Sequence, residues 1–191
     1  MFFHMSFGII DTMNTFSDPQ KVIEQCDIFP GQHVADLGAG SGAYTLAIGR
    51  KIQGDPNSRV FAVDVQKDLL TRIDSQAREE QLSSVHIVWG DIEEPAGTRL
   101  RADSVHTVFI ANILFQVNNK KAVIEEAKRI LHSDGRIIVI DWSDSFGNIG
   151  PSTDHIISEQ RARSLCEELG FVFEKKFHAG EHHYGFIMRN Q

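Results

Sequence analysis

The sequence predicts an α/β fold, a mostly parallel sheet with helices on both faces and an antiparallel hairpin at the C-terminus. Three observations carry that prediction. Short β-branched runs alternate with stretches of helical period, the pattern of βαβ units. A glycine-rich turn, Gly38-Ala39-Gly40-Ser41-Gly42, joins the first of these runs to the helix that follows it. Past Gly170, two apolar runs over 171–177 and 182–188 are separated by Ala179-Gly180-Glu181. That turn is far shorter than the crossover of about a dozen residues that a parallel pair needs, so these two strands run antiparallel.

Each element follows from local signals. Asp18-Pro19 starts a helix, a capping acid followed by proline at the first helical position, with Val22, Ile23 and Cys26 toward the core. Pro30-Gly31 is a turn, and His33-Val34-Ala35-Asp36-Leu37 is strand one. The helix after the glycine turn buries Leu46, Ala47 and Ile48. Strand two covers 59–64. The next helix, over 66–80, sets Leu69, Leu70, Ile73 and Ala77 at helical spacing. Strand three, 85–89, ends in Gly90-Asp91, and strand four, 104–110, ends in Ala111-Asn112. Asn118 or Asn119 caps a helix bearing Val123, Ile124, Ala127, Ile130 and Leu131, which Ser133-Asp134-Gly135 ends before strand five at 136–141. A polar loop over 143–154 holds Gly147, Gly150 and Pro151. Ser158 and Glu159 then open the last helix, which closes at Gly170.

Composition narrows the function classes. The chain has 191 residues, 41% of them hydrophobic and 24% charged, ordinary values for one globular domain with a core that needs no disulfide or metal staple. A net charge of −7 disfavours a phosphate backbone as partner. The mildly basic face of Lys120, Lys121, Lys128 and Arg129 is interrupted by Glu125 and Glu126, so nucleic acid is not expected. The longest apolar stretch, 105–117, is too short for a membrane helix of about 20 residues, and no membrane association is expected. Cys26 and Cys166 have neither metal nor redox spacing, and the start at Met1-Phe2-Phe3-His4-Met5 lacks a basic run and a clear cleavage site, so a cytoplasmic location is expected. Residues 1–17 form an N-terminal arm whose apolar side chains (Phe2, Phe3, Phe7, Ile9, Ile10, Met13, Phe16) follow no helical or alternating pattern. On its residues alone it packs on the core or on a second subunit. The remainder, 18–191, is the ligand-binding domain.

The stretch from Val34 to Gly42 sits where backbone approaches a ligand closely, at a strand-to-helix turn. Gly38-x-Gly40-x-x-Ala43 also fits a dinucleotide fingerprint. Charge separates the two readings. Asp36, two residues before the first glycine, would face like charge beside a pyrophosphate, but suits a ligand with an ammonium and a sulfonium. S-adenosylmethionine (SAM) is such a ligand. Asp64, closing strand two, can accept from both ribose hydroxyls, a role NAD enzymes share. Asp91 can accept from the adenine amino group while Ile92 packs on the ring. Three acids after three successive strands match a nucleoside across the carboxyl edge of the sheet.

On these residues the chain resembles the class I SAM-dependent methyltransferases. The resemblance is carried by Asp36-Leu37-Gly38-Ala39-Gly40-Ser41-Gly42, Ala62-Val63-Asp64, Gly90-Asp91-Ile92 and Ala111-Asn112. Leu131-His132-Ser133-Asp134-Gly135-Arg136 is similar to that family's approach to strand five, with Asp134 where glycine or proline is common. The resemblance covers residues 18–189. It implies a Rossmann-like class I methyltransferase fold, seven strands in the order 3-2-1-4-5-7-6 with strand seven antiparallel. It also implies a SAM site, with S-adenosylhomocysteine as product, built from Asp36, Leu37, Gly38, Gly40, Gly42, Asp64, Val65, Gly90, Asp91, Ile92 and Asn112. For the arm over 1–17 it implies the alternative of a lid over the acceptor pocket. Within the family, Ile140-Asp141-Trp142, Gly150-Pro151 and His183-Tyr184-Gly185 are most similar to small bacterial and archaeal enzymes related to ubiquinone/menaquinone C-methyltransferases and arsenite methyltransferases. Cys26 and Cys166 fall in expected helices, which disfavours arsenic.

The expected reaction is methyl transfer to a small-molecule acceptor by in-line displacement. It needs a nucleophile held about 3–3.5 Å from the methyl carbon and no obligatory base. Asn112 and Phe115 stand next to the expected methyl position, and Asp141 and His155 are the candidates for a base or acceptor contact. The Asn-Pro-Pro-Tyr motif of amino-methylating nucleic-acid enzymes is absent, since Ile113-Leu114 follows Asn112. Trp142-Ser143 stands where a magnesium-binding Asp-Asn pair would be. The spacing of His178, His182 and His183 can be read as a metal site, but adjacent His182 and His183 point to opposite faces of a strand, so at most one of them joins His178 and no metal is expected. Two alternatives remain, a non-catalytic SAM-binding protein and an NAD(P)-binding oxidoreductase. A monomer or a homodimer is expected.

Overall fold

A computed structural model describes residues 17–146 and 150–191. The expected N-terminal lid therefore falls almost wholly outside the described residues. The elements are α1 (Pro19–Glu24), β1 (His33–Leu37), α2 (Ala43–Lys51), β2 (Arg59–Asp64), α3 (Lys67–Glu79), β3 (Val85–Trp89), β4 (Val105–Ala111), α4 (Lys120–Ile130), β5 (Leu131–Trp142), a 3-10 turn (Thr153–His155), α5 (Glu159–Glu168), β6 (Phe171–His178) and β7 (His183–Asn190). The strands form one sheet in the order β3-β2-β1-β4-β5-β7-β6. The first five pair in parallel, and β7 pairs antiparallel with both β5 and β6. This is the predicted class I methyltransferase topology.

The caps explain where the helices begin. Asp18 accepts from the amides of Gln20 and Lys21 at the start of α1. Asn119, rather than Asn118, accepts from Ala122 N–H at 3.1 Å to open α4. Ser158 accepts from Arg161 N–H at the start of α5. Each oxygen satisfies an amide that the first turn leaves without a helical partner.

Strand alternation divides the core into two layers. Val34, Phe109, Ile138 and Ile140 pack with Val22, Ile23, Cys26 and Ile48 on the α1/α2 face. Ala35, Val108, Ile110, Ile137 and Val139 pack with Ile124, Ala127, Leu165 and Cys166 on the α4/α5 face. Burial pushes both thiols up to about 12, which makes them inert. On α3, Leu70, Ile73 and Ala77 are buried as the spacing predicts, while Leu69 is half-buried at the rim.

The approach to β5 differs from the sequence reading. Leu131 is not a helical residue. Its backbone is extended (φ −71°, ψ 140°), its N–H closes α4 on Ala127 O, and its side chain is already buried on the strand. Ser133-Asp134-Gly135 does not end the helix but forms an irregularity within β5. The register passes from Val105↔Leu131 to Thr107↔Arg136, with Asp134 left-handed at φ +64°. Among the described residues no helix is long and apolar enough to cross a membrane.

Candidate functional site

The carboxyl ends of β1, β2, β3 and β4 meet around a cavity of about 420 Å³. Its floor is the glycine turn. Gly38 is left-handed at φ +73°, and a Cβ there would collide with the side chain of Ile113, which the turn after β4 lays against it. Gly40, at φ +53°, has no side chain near it and presents bare backbone to the cavity. Gly42 is the left-handed N-cap of α2.

Asp64 ties this turn to β2. Its buried carboxylate accepts from Gly40 N–H at 2.9 Å through Oδ2 and from Gln66 N–H at 2.8 Å through Oδ1. A carboxylate offers about four lone-pair sites, so two remain for ligand hydroxyls. Asp91 is exposed and accepts from Glu93 N–H at 2.9 Å, with Ile92 buried beside it. Gly90 lies directly on the Gly97 carbonyl, where a Cβ has no room, so the loop after β3 folds tightly under the site. Asn112 completes the rim in a left-handed conformation (φ +57°). Its N–H donates to Ile140 O at 2.8 Å, and its carbonyl accepts from Gln116 Nε2 at 2.6 Å. Its buried Oδ1 has no hydrogen-bond partner among the described residues.

Of the sequence-predicted residues, Gly38, Gly40, Asp64, Val65, Gly90, Asp91, Ile92 and Asn112 all line this cavity. Leu37, Gly42 and Asp36 do not, and stand behind its wall. Asp36 is only 2% exposed and accepts from the Thr45 hydroxyl at 2.6 Å. Burial pushes its carboxyl up to about 6, opposed by the Thr45 hydrogen bonds and reinforced by the Asp64 charge. Sequence reasoning missed Tyr44, Gln66, Glu93, Ile113, Gln116 and Val117 in the lining. A signal existed for two of them. Gln66 and Glu93 each lie two residues after a strand-ending aspartate and donate to it, the geometry of an Asx turn.

The charge of this chamber is one-sided. Among the described residues its lining holds Asp64, Asp91 and Glu93 and no Lys, Arg or His.

Asp141 and His155 do not join it. Asp141 is fully buried and braces backbone. Its Oδ2 accepts from Leu114 N–H and its Oδ1 from Trp142 N–H, both at 2.8 Å, fixing the turn after β4. Burial pushes its carboxyl up to about 6 against those amides. His155 is exposed in the 3-10 turn, with Nδ1 3.3 Å from Ser152 Oγ. It lines a second cavity of about 910 Å³, with Phe115, Lys120, Ile157 and Arg161. Gln116 and Val117 belong to the walls of both cavities. In the hairpin region, His182 pairs with Asp144 at 2.7 Å and stacks on Phe146, while His183 packs on Trp142. Among the described residues no group of three or more His, Cys, Asp or Glu side chains is placed to hold a metal ion.

The model of the family described as "Methyltransferase domain" matches residues 28–182. An (S)-coclaurine N-methyltransferase of Thalictrum flavum subsp. glaucum is 28% identical over 116 residues, 61% of this chain and 30% of that protein. A ubiquinone/menaquinone biosynthesis C-methyltransferase of Vibrio campbellii is 30% identical over 115 residues, 60% of this chain and 42% of that protein. The chain thus spans well under two thirds of the length of these curated relatives. A SAM dependent methyltransferase from Aquifex aeolicus superposes with a TM-score of 0.83 at 20% identity, covering 94% of this chain and 93% of that one, which shows a shared fold. With most of its length matched by the family model, the chain belongs to the methyltransferase-domain family.

Proposed function

We propose that the chain binds SAM in the acidic chamber and catalyses methyl transfer to a small-molecule acceptor. The observation that carries this reading is the sign of the chamber: among the described residues, three carboxylates and no cation surround a glycine turn. A dinucleotide pyrophosphate brought to that turn would meet only like charge, whereas a ligand with a sulfonium and an ammonium is attracted. The residues present fit SAM. Asp64 would accept from the ribose hydroxyls, Asp91 from the adenine amino group with Ile92 against the ring, and the unpartnered Asn112 Oδ1 from the methionyl ammonium.

When bound, SAM supplies a methyl group on a positively charged sulfur. The chain's task is then positioning. Gly38 and Gly40 let the backbone approach without side chains in the way. Asp64 holds that turn by its bond to Gly40 N–H, so the ribose contact and the turn are set together. The turn over 112–117, braced by Asp141, walls the side from which an acceptor enters and keeps water from the reacting atoms. The three carboxylates of the cofactor chamber are engaged by the backbone amides of Gly40, Gln66, Glu93 and Asn119, in keeping with a displacement that runs on alignment.

The same reading makes the protein a cytoplasmic monomer or homodimer whose partner is the small acceptor, with no role for nucleic acid or membrane. Its net charge of −7 and the separate burial of Cys26 and Cys166 support this. Calorimetric titration tests the cofactor. S-adenosylhomocysteine should bind with micromolar affinity, NAD and NADP should give no heat, and Asp64→Asn should weaken the first. Binding of NAD in preference would overturn the reading. Release of S-adenosylhomocysteine on adding an acceptor then separates an enzyme from a protein that only binds SAM.

A further inference from the structure

The second cavity has the opposite electrostatic character from the first. Among the described residues its charged lining is Lys120, Arg161 and Asp154, two fixed cations against one acid, in a chain whose net charge is −7. The floor is apolar, with Phe115, Ile157 and Leu165. Lys120 sits at the N-terminus of α4, donates to Val117 O at 2.9 Å, and is close enough to Asp141 to act on its charge. Its ammonium therefore stands over the carboxyl ends of β4 and β5, beside the wall shared with the cofactor chamber. Arg161 reaches the cavity from α5. Its ion pair with Glu168 at 3.0 Å is exposed on both sides (57% and 54%) and so is readily exchanged for a ligand.

We propose that this cavity is the acceptor chamber, and that it takes a small acceptor pairing an apolar or aromatic body with a carboxylate. The inference rests on reading the adjoining cavity as the SAM site and names the substrate class for it. The apolar body lies on Phe115, Ile157 and Leu165, while Lys120 and Arg161 hold the carboxylate and His155 offers a ring nitrogen at the rim. A local excess of one fixed positive charge suits a monoanion better than a phosphate dianion. The nucleophilic atom, which is not the carboxylate, is directed across Gln116 and Val117 toward the cofactor chamber. In the transfer that atom supplies the electron pair of the new bond to carbon, the pair of the broken sulfur–carbon bond stays on sulfur, and a proton on the nucleophile passes to water.

Binding, not turnover, tests the proposal. Benzoate and indole-3-acetate are titrated by heteronuclear NMR against their neutral twins, benzamide and indole-3-acetamide, with phenyl phosphate as the dianion. Each acid should bind about tenfold more tightly than its amide, the margin of one charge-assisted hydrogen bond lost. The affected amides should be those around Phe115, Lys120 and Arg161. The preference should shrink to about threefold in Arg161→Gln and vanish in Lys120→Gln/Arg161→Gln, with S-adenosylhomocysteine affinity unchanged in both. Equal binding of acid and amide in both pairs, binding of none of the probes, tighter binding of phenyl phosphate, or a preference that survives the double variant overturns the proposal. If the double variant fails to fold, the exposed Arg161→Gln variant decides alone. S-adenosylhomocysteine titrated by itself reports the cofactor reading, so the two failures are told apart.

Discussion

Asp36→Asn removes a charge that the fold buries almost completely, and its effect should change sign with pH. The asparagine keeps an oxygen for the Thr45 hydroxyl, so the hydrogen bond at 2.6 Å survives. What disappears is the ionisation. The carboxyl lies at about 6 in the folded chain against 3.8 in the reference state, chiefly through burial. Between those values the folded protein holds a proton that the unfolded chain has lost, so wild-type stability falls as pH rises through the window. By pH 7.5 the cost is complete, at about 3 kcal/mol. At pH 4.0 only about 0.5 kcal/mol of it has developed. The new amide group, buried without a partner, costs about 1–2 kcal/mol at either pH. The variant should therefore be more stable than wild type by about 1–2 kcal/mol at pH 7.5 and less stable by about 0.5–1.5 kcal/mol at pH 4.0. Asp141, whose carboxyl also lies at about 6, titrates in both proteins and drops out of the difference. Urea unfolding of the ligand-free protein at the two pH values is the assay. The difference between the two comparisons should be about 2.5 kcal/mol, or about 1 M in midpoint. An unchanged difference at pH 4.0 and 7.5 would refute the claim that Asp36 carries a buried charge. The same substitution should weaken SAM more than S-adenosylhomocysteine, because only the former has a positive sulfur.

Three further outcomes are expected. Gly38→Ala should destabilise by about 2–4 kcal/mol and abolish S-adenosylhomocysteine binding, because the added carbon meets Ile113 on left-handed backbone; thermal melting and calorimetry read both effects. Asp141→Ala strips the acceptor from two buried amides and should cost about 2–5 kcal/mol in urea unfolding, while turnover measured below its melting point falls as the wall shifts but keeps its pH profile, as suits a brace and not a base. His106 has its pKa lowered by burial and by His132 and His33, and its Nδ1 accepts from His33 N–H at 3.0 Å. The folded state favours the neutral ring, so stability is full above about 6.5 and is lost as pH falls below it; melting temperatures of His106→Gln should depend less on pH from 7 down to 5.5.

How much was legible in advance depends on whether a residue acts through its neighbours in the chain or through distant ones. Caps such as Asp18 and Ser158 act within one turn of helix and were readable. So were the alternating strands, because inward residues such as Val34 and Ala35 simply take opposite faces. Leu131 was misassigned because its apolar side chain continues the helical spacing of α4, while pairing with Val105, 26 residues away, makes it a strand residue. At the site, the residues that end strands were legible because a parallel sheet brings its carboxyl ends together. Asp36 and Asp141 end strands as well, yet their carboxylates turn inward to Thr45 and to the 114 amide. Nothing local distinguishes an aspartate that faces a ligand from one that faces a buried hydroxyl or amide. Gln116 and Val117 entered the lining only because Asn112 turns left-handed and folds the following residues back over the cavity.

The turn from Asn112 to Val117 is where these costs converge. It follows β4, and β4 lies between β1 and β5, the strands that end in the two buried carboxylates. Beneath it, Gly38 has given up its side chain so that Ile113 can rest on the glycine turn. Within it, Asn112 holds a left-handed backbone that costs a non-glycine residue about 1 kcal/mol, fixed by bonds to Ile140 and Gln116. Behind it, Asp141 remains charged at neutral pH despite complete burial, because protonation would weaken its hold on Leu114 and Trp142. Each feature carries a cost of its own, and all three fix the position of one short wall. That wall separates a chamber lined by three acids from one with an excess of cations, and a displacement along a line tolerates little error in where two ligands meet. A turn held by ordinary packing would cost less and would move more, and an in-line reaction is poorly served by a wall that moves.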